Sequence, residues 1–141
     1  MGNSKTHRSH FWIGNGRWEK VEEYFAEIWN EDDPDRNHSP LSHFSQDQGT
    51  TWYDHDCLER ITHEEAKPIA QLVEHMSYAS HYLGKLIEKA QLTGLDSANI
   101  AVMFDLGERD CFPNARSVSN NYVELHYLGM LEYPVDVREN A

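Results

Sequence analysis

The densest group of side chains able to do chemistry lies between Gly49 and Glu65. There Asp54, His55, Asp56, Glu59 and His63 stand among Trp52, Tyr53 and Cys57. Carboxylates and imidazoles are metal ligands and the working groups of acid–base catalysis. In a strand Asp54 and Asp56 share one face; in a helix Asp56, Glu59 and His63 line up three and four residues apart. A metal-assisted hydrolase built on Asp54, His55, Asp56 and His63 is therefore one reading. Against it, mixed acids and histidines are ordinary at helix starts, where carboxylates offset the dipole, and no His-Glu-x-x-His helix exists. Cys57 has no recognisable nucleophile context, and a buried, inert thiol is the better assignment. Gly14-Asn15-Gly16 is a lone Gly-x-Gly and makes no phosphate cradle. No catalytic motif, metal site or cofactor is expected, and elimination leaves binding.

Several elements must position these groups. His10-Phe11-Trp12-Ile13, closed by Gly14-Asn15-Gly16, reads as a first strand ending in a turn. Trp18, Val21, Tyr24, Phe25, Ile28 and Trp29 make one stripe at the helical period, which predicts a helix packed on a sheet. Acid crowding and Pro34 stop it. Leu41 to Asp47 suits a short helical turn, and Thr50 to Tyr53 looks extended after a turn at Gly49. Thr62 and Glu65 have capping-box spacing with Pro68 in a first turn. Apolar stripes then predict helices over 67–75 and 79–92, ended by Gly94, with one kinked helix as the alternative. Ala98 to Leu106 fits a strand buried on both faces. Gly107 to Asn121 reads as a long loop. Tyr122 to Tyr133 alternates as a half-buried strand in which Gly129 marks a bulge that shifts its phase. The fold expected is α+β: a small, mainly antiparallel sheet with about three helices on one face. Residues 1–9 are expected to be a flexible N-terminal segment, 10–133 a single domain and 134–141 a tail.

The totals narrow the partner. At 141 residues one domain is expected, and 4 Trp, 7 Tyr and 5 Phe supply large buried areas. Asp and Glu number 24 against 12 Lys and Arg, a net charge of −12. Such a field repels nucleic acid and anionic lipid and speeds encounter with basic proteins, besides keeping the chain soluble. Two cysteines without a Cys-x-x-Cys pair suit a reducing compartment. No secretory signal and no stretch of membrane-spanning length is found, so a cytoplasmic protein is expected. Thirteen of the 24 acids fall in two windows, eight over Glu19–Asp35 and five over Asp54–Glu65. If the windows adjoin in space, they make an acidic face carrying Trp52 and Tyr53, an aromatic anchor ringed by charge.

Four stretches together resemble the immunity protein 22 family of bacterial polymorphic toxin systems. They are Phe11-Trp12-Ile13-Gly14, Trp52-Tyr53-Asp54-His55-Asp56 with Glu59, Ser77-Tyr78-Ala79-Ser80, and Tyr127-Leu128-Gly129-Met130-Leu131-Glu132-Tyr133. The resemblance spans about residues 10 to 133. It implies a small α+β protein, encoded beside a toxin, that neutralises the toxin by binding rather than by catalysis. Residues expected at the partner contact, or in the scaffold beneath it, are Trp52, Tyr53, Asp54, Asp56 and Glu59. The acidic loop residues Glu31, Asp32, Asp33 and Asp35 join them as a docking surface for a basic toxin. A generic interaction module without a toxin partner is the remaining alternative.

Overall fold

The computed structural model describes residues 4–28, 42–50, 53, 57–106 and 111–136. Its strands are β1 (Ser4–Asn15), β2 (Leu58–Pro68), β3 (Ser97–Asp105), β4 (Val118–Ser119) and β5 (Glu124–Asp136). Its helices are α1 (Trp18–Phe25), α2 (His43–Asp47), α3 (Ile69–Val73) and α4 (Ala79–Leu92). The strands form one sheet in the order β2-β3-β1-β5-β4, and every pairing is antiparallel. The class is α+β and mostly sheet, with four helices described rather than about three.

β1 is the middle strand, and its sequence shows why. Phe11 and Ile13 pack into one core with α3 and α4, while Trp12 points into a second core with α1 and α2. Side chains alternate across a strand, so an uninterrupted apolar run means that both faces are covered. β3 repeats the pattern: Ala101 and Met103 join the first core, Val102 and Phe104 the second. The helices therefore sit on both faces of the sheet, not on one. The one-face expectation fails because α1 returns over the face opposite to the one that α3 and α4 cover.

β5 changes face part-way. Phe11 pairs with Gly129 but Trp12 pairs with Tyr127, which leaves Leu128 as the extra residue of a bulge. Gly129 takes φ +104, a backbone conformation that side chains resist. Before the bulge Leu125 feeds the second core; after it Leu131 and Tyr133 feed the first.

Other expectations need correction. Thr62 and Glu65 cap no helix, because β2 runs to Pro68 and α3 begins at Ile69. Pairing of Leu58 to Thr62 with β3 overrides the local helix signal, and four residues, 63–66, bow out opposite Asn99 alone. Asn99 ties that bow down: its amide donates to the carbonyls of Gly16 (2.6 Å) and His63 (3.0 Å) and accepts from Gly16 N–H (3.0 Å). Within the expected flexible segment 1–9, Ser4 onward is strand, pairing with β5 as far as Asp136, inside the expected tail. α1 stops at Phe25, where Ala26 turns extended. Val21, Tyr24 and Phe25 are buried as the stripe requires, but Trp18, one turn earlier, is 51% exposed. The loop after residue 106 contributes Phe112, fully buried, to the second core and β4 to the sheet edge. α2, α4 and the left-handed Gly94 after α4 are as expected; α3, Ile69–Val73, is shorter than the 67–75 expected because β2 holds residues 67 and 68, so the stretch 67–92 holds two helices.

Candidate functional site

Of the residues expected to bind, Trp52, Asp54, Asp56, Glu31, Asp32, Asp33 and Asp35, with His55, lie outside the described residues. Tyr53 and Glu59 are described, and they part company. Tyr53 is 1% exposed, with its ring 5.5 Å from Phe112 and 6.2 Å from Phe44. Burial raises its phenol above the ordinary value. It is packed into the second core.

The two acidic windows do adjoin where they are described. Arg60, on β2, donates to Glu22 Oε1 of α1 at 2.9 Å, and its guanidinium carbon lies 4.8 Å from the centre of the Phe25 ring. The second window thus runs directly against the helix of the first. Part of the charge there is already paired, since Lys20 also lies 3.9 Å from Glu23.

Glu59 points to the other side of the sheet, beside the core under α3 and α4. Its Oε2 accepts the Ser77 N–H at 2.8 Å, in the turn between those helices. The next residue, Tyr78, is the one non-glycine residue with positive φ among the described residues, at φ 61, ψ 21. A left-handed tyrosine costs about 1–2 kcal/mol, so the surroundings must hold it. They do so with rings. Tyr78 stands 5.1 Å from His7 and 6.5 Å from Tyr133. His7 Nδ1 donates to Asp105 Oδ2 at 3.2 Å, and Ser9 Oγ lies 2.8 Å from Tyr133 OH. Burial pushes the Tyr133 phenol up to about 12; the Ser9 hydroxyl works against the rise, while Asp105, Tyr78 and Glu59 add to it. Burial, then the charge of Glu59, also raises Tyr82, whose hydroxyl has no hydrogen-bond partner among the described residues.

Five elements and a turn therefore converge on one polar and aromatic cluster under the α3–α4 turn. An Asp–His pair is present, but Ser9 bonds Tyr133 and not His7, so no serine–histidine–aspartate relay forms. Among the described residues no three His, Cys, Asp or Glu side chains come together as metal ligands. Above the cluster lies a cleft of about 500 Å³ along the turn from Glu74 to His81. Reading the sequence missed His7 and Asp105, and no local pattern marks them. The Ser77-Tyr78-Ala79-Ser80 and Tyr133 signals were visible, but their meeting with Glu59 was not.

A family model described as Immunity protein 22 matches residues 10–134. The chain belongs to the Immunity protein 22 family. No curated protein matches it, and no solved structure does. Three of the four stretches behind the family resemblance, those holding Glu59, Ser77-Tyr78 and Tyr133, meet at the cluster just described. No described helix of this Immunity protein 22 chain is long and apolar enough to cross a membrane.

Proposed function

We propose that this protein is a cytoplasmic immunity protein that neutralises a cognate bacterial toxin domain by direct one-to-one binding, without catalysis. The partner is a basic protein, and a nuclease domain suits the −12 charge best. The contact surface is acidic and aromatic: Trp52, Asp54, Asp56 and Glu59 with Glu31, Asp32, Asp33 and Asp35, and with Tyr53 as the scaffold beneath. The observation that supports this reading is the 2.9 Å pair between Arg60 of β2 and Glu22 of α1, which brings the described parts of the two acid-rich windows side by side. Summed negative charge along this edge of the sheet steers a basic partner into contact, and apolar anchors then set the dissociation rate.

The test is capture of the toxin domain encoded beside this gene, followed by titration at low and high salt. Nanomolar affinity that weakens with salt supports the acidic surface. Tight binding that ignores salt keeps the function and moves the contact to apolar side chains. Absence of binding removes the immunity reading. In a protein that stays folded, unchanged affinity after replacing Asp54 and Asp56 by Ala takes both out of the interface.

A further inference from the structure

We infer that the cleft at the α3–α4 turn is a second part of the toxin-binding surface and receives a basic side chain, an arginine, of the toxin. This rests on the immunity reading above and extends it around the edge of the sheet. Glu59 belongs to both regions: it follows the Trp52–Asp56 run by three residues, and its carboxylate reaches the turn through Ser77 N–H. Its second oxygen, Oε1, accepts no hydrogen bond among the described residues. Glu59 thus stands behind the Ser77 wall of the cleft, and its negative charge bears on whatever occupies it.

Charge fixes the sign of the occupant. α4 begins at the cleft, and the start of a helix carries roughly half a positive charge. Glu59 more than offsets it. Glu74, whose side chain is 55% exposed at the rim, leaves the cleft net negative, and among the described residues its ion-pair partner is the neighbouring His75 at 3.4 Å. An anion is therefore repelled. A planar guanidinium matches a carboxylate in a fork and stacks on an aromatic face, and the half-buried Tyr78 ring lines the same cleft. A cleft of about 500 Å³ is ample for one such side chain.

The experiment titrates the same toxin domain against wild type, Glu74→Lys, Ser80→Arg and Glu88→Lys, each variant first checked for unchanged melting temperature. Glu74 and Ser80 are exposed on the cleft, so both variants keep the fold; Glu88 is an exposed acid on α4 outside it. Expected is a loss of about tenfold or more in affinity for Glu74→Lys and Ser80→Arg, with Glu88→Lys within about twofold of wild type. Wild-type affinity in both cleft variants overturns the inference. So does an equal loss in Glu88→Lys, which makes the effect one of overall charge. Failure of the wild type to bind is a different result: it removes the immunity reading on which the cleft depends.

Discussion

The Ser77 N–H donates to Glu59 Oε2 at 2.8 Å, fastening the turn between α3 and α4 to an edge strand of the sheet. A charge-assisted bond of this kind fixes the chain one residue before Tyr78, which takes φ 61. The strained residue is thus held from two sides, by Glu59 through the backbone and by the His7 and Tyr133 rings through its side chain. The cleft keeps its shape because both restraints act on one short turn.

That strain is measurable. Tyr78→Ala and Tyr78→Gly both delete the ring, but only alanine keeps a Cβ in the left-handed region. The glycine variant is expected to be the more stable by about 1 kcal/mol, read as a difference in urea midpoint at equal m-value. Equal midpoints would mean that the turn relaxes once the ring is gone.

The two tryptophans near the start should behave oppositely. Trp12 is fully buried, donates from Nε1 to the Arg116 carbonyl at 3.1 Å, and packs 5.2 Å from Phe44 and 5.5 Å from Phe112. Trp12→Ala is expected to cost about 3–5 kcal/mol. Trp18, half exposed on α1, should cost within about 0.5 kcal/mol. Thermal unfolding of both variants checks this, and a large loss for Trp18→Ala would place it in a core.

Gly14 has no room to grow. A Cβ there would collide with the carbonyl oxygen of Glu124 on the neighbouring β5. Gly14→Ala is expected to lose about 2–3 kcal/mol, because β1 and β5 must part where they are paired. A calorimetric scan showing a wild-type melting temperature would contradict this close approach.

Alkaline pH should unfold the protein through its buried phenols. Burial raises Tyr24, Tyr53, Tyr82 and Tyr133 above the ordinary value of 10.0, Tyr133 to about 12. Below pH 10 these phenols are neutral in both states and stability is undiminished. Above it the unfolded chain gives up protons that the native chain retains, so stability falls as pH rises from about 10 through 12. Tyrosinate absorbance followed beside far-ultraviolet circular dichroism should show the four titrating together with unfolding. Their titration ahead of it would mean that they are not held buried.

Much of the scaffold was legible because its signals are local. The apolar run Ala98–Leu106 reads as a doubly buried strand, the 79–92 stripe as a helix ended by Gly94, and Gly129 as a bulge, since each depends on residues a few positions apart. The family, too, was legible in four short stretches. β2 was not. Its capping-box spacing favours a helix locally, and only hydrogen bonding to β3, some forty residues on, decides for a strand. Trp18 fits the apolar stripe by spacing, yet whether the sheet reaches under it is a tertiary matter.

By itself, then, the sequence determined the class, most elements, the acidic charge and the absence of any recognised catalytic motif, all properties of neighbours along the chain. Only the tertiary structure decided which face each helix covers, that Tyr53 is buried in the second core, and that Arg60 of β2 pairs with Glu22 of α1. It alone brought His7, Glu59, Tyr78, Asp105 and Tyr133 under one turn. The reason is physical: contacts between residues so far apart in the chain come from strand register and packing, which no local spacing encodes.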